Sequence, residues 1–277
     1  MKLIDDFFEN SQALPMLPKV VQEVMQLINS GDVEIKTLAD KINHDQVLSA
    51  RVLRMSNSAY FGCSRSIGTI EEAVSLIGMA KLETLVVASG VTSTFTDVPG
   101  LDLKRFWAHS LIAASIARAL AAEQGLDADT AYIAGLMHTV GQLPIHMVFP
   151  KAGADIEEVC KGRSVLERSK VEYSVIGTDH NLVGEKLARH WNFPEDISRA
   201  IRYYTNPLSA DACALAPVVY VAAHIAFDLE SGQAPEYIAE TLSADVAEKL
   251  NLAGDTAALT ERIEGYRSFV AEANSYL

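Results

Sequence analysis

The chain of 277 residues has only three cysteines, Cys63, Cys160 and Cys213, far apart and without a CxxC pair. That excludes a disulfide framework or a zinc ribbon as the source of its stability, and it fits reduced thiols in a cytoplasm. Basic residues are few beside the acids: 23 Lys plus Arg against 36 Asp plus Glu, a formal charge of -13. A phosphate-rich polymer would meet a repulsive field unless a local basic patch intervened, so nucleic acid is not expected as a partner. An uncharged run of about 18 apolar residues, which a membrane-spanning helix needs, is also missing. "ALAPVVYVAAHIAF" comes nearest, but it is short and contains Pro217 and His224, so it reads as a buried helix. The opening "MKLIDDFFENSQALP" carries acids inside its first apolar stretch and forms no signal-peptide core. No glycine-rich phosphate loop appears, and no serine or cysteine sits in a nucleophile-elbow context, which removes those enzyme classes.

What is abundant is helical periodicity. With 49% hydrophobic residues the chain can bury a substantial core. In "LPKVVQEVMQLI" the residues Val20, Val21, Val24, Leu27 and Ile28 form one stripe, with Pro18 at the start and Gly31 as a stop signal. Similar words follow in "VEIKTLADKINHD", "QVLSARVLRMSNSAYF", "TIEEAVSLIG" and "AKLETLVVASGVTSTF". Later come "DLKRFWAHSLIAASIARALAAEQG", "DADTAYIAGLMHTVGQLPIHMVF", "HNLVGEKLARHW", "PEDISRAIRYY", "APVVYVAAHIAFDL" and the amphipathic tail "DTAALTERIEGYRSFVAEANSYL". Alternating strand patterns are scarce, so the expected fold class is all-α. "TDVPGLDL", residues 96–103, interrupts the pattern and predicts a joint between two helical parts, residues 1–98 and 99–277.

"TLADKINHDQVLSARVLRMSN" looks superficially like a helix-turn-helix. Its second helix, however, is dominated by Val47, Leu48, Val52, Leu53 and Met55, with only Arg51 and Arg54 basic, so core packing is the better reading. "AYFGCSRSIG" could line a binding surface, and a packed turn explains it equally well.

Metal-dependent hydrolysis on a helical scaffold needs nitrogen and oxygen ligands brought from separate helices, with open positions for water and substrate. Four of the seven histidines, His109, His138, His180 and His224, lie in or beside helices of the second part. Taken singly, each reads as a hydrogen-bonded core or surface histidine.

The order of the surrounding words says more. "FWAHSLIAASIARALA", "AYIAGLMHTVGQLPIH" and "DHNLVGEKLARHWNFPEDISRAI", together with "LPMLPKVVQEVMQLI", "LADKINHDQVLSARVLRMSNSAYFG" and "TIEEAVSLIGMAKLETLVV", resemble the HDOD family, a divergent branch of the HD phosphohydrolase superfamily. The resemblance covers roughly residues 12–230. By motif it implies that His109, His138 and His180 occupy metal-ligand positions. Against that pattern, Thr139 stands where the paired Asp belongs, and Gln142 where a lysine follows. Tyr204 and Thr205 replace a His-His pair, and Ala223 stands near the last Asp, with His224 turned about 100° away along a helix. A threonine hydroxyl does not supply a carboxylate's charge at neutral pH. Three imidazoles can hold a single divalent ion, but a two-metal hydrolytic centre is hard to assemble from them.

The resemblance therefore implies a stand-alone bacterial signalling protein, non-catalytic and without a cofactor, which binds a signalling protein partner or a small ligand. The competing expectation is a weak metal-dependent phosphohydrolase or phosphodiesterase. If the three histidines converge, their surroundings form either a closed hydrogen-bonded network or an open polar pocket inside the apolar core.

Overall fold

The computed structural model describes residue 8 and residues 15–30, 35–57 and 66–276. Gly31, Cys63, most of "AYFGCSRSIG" and most of the opening segment lie outside the described residues. The fold is all-α, and among the described residues every regular element is a helix. None of these helices is long and apolar enough to cross a membrane. The chain divides into two compact units, Pro15–Thr96 and Asp97–Ser275.

The first unit holds α1 (Lys19–Ser30), α2 (Ile35–Asn43), α3 (Gln46–Ser56), α4 (Ile70–Ile77) and α5 (Met79–Thr94). The stripe of α1 turns Val21 and Val24 inward, where they meet a core that includes Leu38, Ile42, Val52, Ile70 and Leu82. Asp45 caps α3 by accepting from the amides of Val47 and Leu48, and Thr69 caps α4 through the amide of Glu72. In α3, Leu48 and Val52 are buried, and Leu53 and Met55 are half-buried. Val47, expected in the core, is 65% exposed, because it lies in the first turn on the opposite face.

The second unit opens with α6 (Leu103–Glu123), capped by Asp102, and α7 (Ala128–Met137), capped by Asp127. These helices approach closely at small residues: a Cβ on Gly135 would lie 2.8 Å from the Cα of Ala114. The long helix expected over "DADTAYIAGLMHTVGQLPIHMVF" is in fact two. α7 stops at Met137, and after a turn at residues 138–141 the chain resumes as α8 (Gln142–Val148). The break sits where another helix crosses, since a Cβ on Gly141 would meet the backbone nitrogen of Gly184 at 2.5 Å.

The unit continues through α9 (Pro150–Cys160), α10 (Val165–Ile176), α11 (His180–His190), α12 (Glu195–Tyr203) and α13 (Leu215–Glu230). It ends with α14 (Pro235–Thr241), α15 (Ala244–Lys249) and α16 (Thr256–Tyr276). The helical words of the sequence reading do not include α9, α10, α14 and α15. In α10 the reason is chemical, because the residues it buries are Arg168 and Glu172, whose charges read as a solvated face. α13 is the buried helix expected from "ALAPVVYVAAHIAF", with Pro217 in the first turn, where no backbone donor is lost.

A degenerate histidine site

Each of the three singled-out histidines sits at a defined point of the second unit. His109 lies on α6, His138 caps the end of α7 just before the break, and His180 is the first residue of α11, whose cap Asp179 accepts from the amide of Leu182. His138 and His180 are fully buried, and His109 is 9% exposed.

Their Nδ1 atoms all face acceptors. His109 Nδ1 is 2.6 Å from Glu230 Oε2, His138 Nδ1 is 2.6 Å from the carbonyl of Gly135, and His180 Nδ1 is 2.6 Å from Glu172 Oε2. An acceptor at Nδ1 selects the tautomer that carries its proton there and its lone pair on Nε2. This is how histidines are oriented toward a metal, by an acceptor behind the ring.

The Nε2 atoms do not share one fate. His180 Nε2 accepts a hydrogen bond from the Tyr204 hydroxyl at 2.5 Å, while those of His109 and His138 are buried without a protein partner. The His109 and His138 rings lie side by side with centroids 5.2 Å apart. The Tyr204 ring stands edge-on to His138 at 5.1 Å and lies 5.8 Å from His180. His109 and His138 are thus brought together, and Tyr204 comes between His138 and His180.

The substituted positions are engaged elsewhere. Thr139 pairs with Ser110 at 3.3 Å, and Thr205 accepts from Asn181 at 2.6 Å. Ala223 is buried, and its neighbour His224 faces Asp228 at 3.4 Å and Thr241 at 3.2 Å. Among the described residues, no group of three or more His, Cys, Asp or Glu side chains is arranged to hold a metal ion. A threonine, a tyrosine and an alanine in place of carboxylate and imidazole donors, with one of the three remaining lone pairs already taken, do not fit the HD two-metal centre.

Behind His180 runs a buried ionic chain absent from the motif reading. Glu172, fully buried, accepts from the backbone amide of His180 at 2.7 Å and from Arg168 Nε at 2.7 Å. Arg168 also pairs with Glu157 at 2.6 Å. Burial opposes the charge on Glu172, but His180 and Arg168 outweigh it and hold the carboxyl below its ordinary value. Burial acts on Glu157 in the same sense and is outweighed by His146 and Arg168. Burial raises the Tyr204 phenol well above its ordinary value, with Glu172 adding to the effect. His138 is pushed well below its ordinary value by burial and then by His109, so its ring stays neutral.

Beside this cluster opens a cavity of about 350 Å³, with His109, Thr139 and Gln142 in its lining and Arg105, Lys161 and Arg163 among its charged residues.

The all-helical fold and the cluster of buried histidines define the class: an HDOD-type helical chain. The chain belongs to the HDOD family, whose domain matches residues 14–207. A candidate phosphohydrolase from Shewanella amazonensis SB2B is 30% identical, with a TM-score of 0.82 over 99% of this chain and 98% of its own. An HDOD domain protein of unknown function from Geobacter sulfurreducens is 25% identical, with a TM-score of 0.79 over 98% and 97% of the two chains. An uncharacterized protein of Treponema pallidum (strain Nichols) is 26% identical over 208 residues, 74% of this chain. The chain spans only 40% of that relative's length.

Proposed function

We propose that this chain is a non-catalytic signal-transduction protein of the HDOD family, which binds a signalling partner or a small ligand and works without a cofactor or a nucleic-acid partner, in a cytoplasm. The observation that carries this reading is the Tyr204 hydroxyl on His180 Nε2, with Thr139 in place of an acidic ligand. A metal-bound hydroxide needs lone pairs and negative charge that this arrangement spends on internal hydrogen bonds. The buried ring cluster is a structural element that holds α6, α7, α11 and α12 together.

The competing reading, a weak metal-dependent phosphohydrolase or phosphodiesterase, has one observation in its favour: a relative 30% identical along nearly its whole length is described as a candidate phosphohydrolase. One assay separates the two. Protein purified without chelator is incubated with phosphomonoesters and cyclic dinucleotides, with added manganese, magnesium, iron or zinc. We expect turnover at background. Metal-stimulated turnover that disappears in His138→Ala sinks the non-catalytic reading.

A further inference from the structure

On the reading of this chain as a binder of a small ligand, we infer that the cavity lined by Gln142 takes a free α-amino acid whose side chain ends in a carboxamide. The ligand's amide pairs with Gln142, and its ammonium and carboxylate meet charges at the mouth.

Gln142, the first residue of α8, is only 4% exposed and lines the cavity. Its side-chain amide makes no hydrogen bond among the described residues, while neighbouring polar groups are engaged: Thr139 with Ser110, and Arg168 with Glu157 and Glu172. Whichever way the amide is turned, it offers two N–H donors at one end and a carbonyl acceptor at the other. Buried polar groups are matched by partners, so the ligand group facing this wall is one that answers both ends. A carboxylate answers only the N–H side, an ammonium only the carbonyl, and a hydroxyl reaches one end at a time. A second primary amide answers both at once, in a planar reciprocal pair.

The mouth specifies the other half of the ligand. Its lining holds four Arg and Lys side chains and four Asp and Glu side chains, so a molecule carrying one sign alone gains no net attraction. Both signs occur together at one edge: Glu158 stands in the last turn of α9, and Lys161 and Arg163 follow it before α10 begins. All three are exposed and form no ion pair among the described residues. An α-amino acid carries an ammonium and a carboxylate on one carbon, and this edge offers a charge-assisted partner to each. Phe106 and Phe227 give the cavity apolar flanks, against which side-chain methylenes pack. With about 350 Å³ the cavity is at the small end of ligand sites, as a free amino acid requires.

The test uses the full chain, metal-free, in calorimetric titrations and thermal melts with four probes: L-glutamine, L-asparagine, L-glutamate and butyramide. L-glutamate matches L-glutamine in shape but turns a carboxylate toward Gln142, and butyramide keeps the amide without the two charges. We expect L-glutamine or L-asparagine to bind about tenfold or more tightly than either control, and the better of the two gives the side-chain length. Gln142→Leu should abolish the preference over L-glutamate. Should that buried substitution impair folding, the double variant Glu158→Gln/Arg163→Gln, at exposed positions, carries the test and should weaken binding about tenfold or more. Arg267→Ala, on α16 and paired with Glu264, should leave binding unchanged.

No binding of either amide amino acid overturns the inference, as does equal affinity for L-glutamate or butyramide, or binding that the double variant leaves intact. The phosphoester assay described above, run on the same preparation, keeps the two readings apart. Metal-stimulated turnover there sinks the non-catalytic reading and leaves the amide site standing, whereas absent binding with turnover at background sinks the amide site alone.

Discussion

Tyr204 donates its hydroxyl proton to His180 Nε2 across 2.5 Å, at full burial of both residues. Tyr204→Phe keeps the ring that packs edge-on against His138 and deletes only the donor. The His180 lone pair is then buried without a partner, which costs about 1–3 kcal/mol. Urea denaturation of wild type and variant measures the loss. Zinc or manganese added to wild type should leave the midpoint where it is, since the lone pair remains taken. A stabilising metal shift that vanishes in His138→Ala would show a working ion site.

Acidification should expose the neutral state of His138. Burial and the neighbouring His109 push its folded value well below the ordinary 6.5. Below 6.5 the unfolded chain takes up a proton that the folded chain refuses, so stability rises with pH in that window and falls as pH drops toward the folded value. The contribution of one such group is about 1.4 kcal/mol per pH unit. His138→Asn keeps a donor for the Gly135 carbonyl and removes the titration. Its stability should therefore decline less steeply than that of wild type between pH 6.5 and 5, which chemical denaturation at several pH values will show. Parallel slopes would mean that the imidazole protonates in place.

The sequence made the helical class readable because α1, α4 and α6 each repeat apolar residues at helical spacing, with caps at the starts of α4 and α6. His109, His138 and His180 were also legible, since motif order is local. Glu172, Glu230 and Arg168 were not. Each acts across the fold, with Glu230 separated by 121 residues from the ring it orients, and a buried Arg168–Glu172 pair at i,i+4 spacing looks in sequence like a surface salt bridge. The role of Tyr204 was half visible: the loss of a ligand could be read, but not its replacement by an internal donor. The break between α7 and α8 depends on a crossing backbone, which no local pattern records.

That crossing gives a steric prediction. Gly141 has φ -65 and ψ -15, angles any residue adopts, so only space forbids a side chain there. A Cβ would fall 2.9 Å from the carbonyl carbon of His180 and 2.5 Å from the nitrogen of Gly184, and backbone atoms do not swing aside. Gly141→Ala should cost about 3 kcal/mol or more. Gly265, exposed within α16 and with nothing near its Cβ position, behaves oppositely: Gly265→Ala should stabilise by about 0.5–1 kcal/mol. Thermal melts of the two variants should move in opposite directions from wild type.

Glu172 receives three donors on two oxygens: the amide and Nδ1 of His180 on Oε2, and Arg168 Nε on Oε1. Glu172→Gln preserves the shape but keeps one acceptor, so an amide N–H must point at Arg168 or at His180, and Arg168 loses a buried counter-charge. At neutral pH the cost should be about 3–5 kcal/mol, the range for breaking a buried ion pair from one side. The wild-type carboxyl has a folded value below its ordinary 4.5, so its stabilisation is complete above that ordinary value and fades as pH falls through the folded one. The gap between wild type and variant should accordingly be widest at pH 7 and narrow in acid, where the wild-type side chain also carries a proton. Urea midpoints at pH 7, 5, 4 and 3 read this directly. A gap that stays constant over that range would place the loss in packing, not in the charge of Glu172.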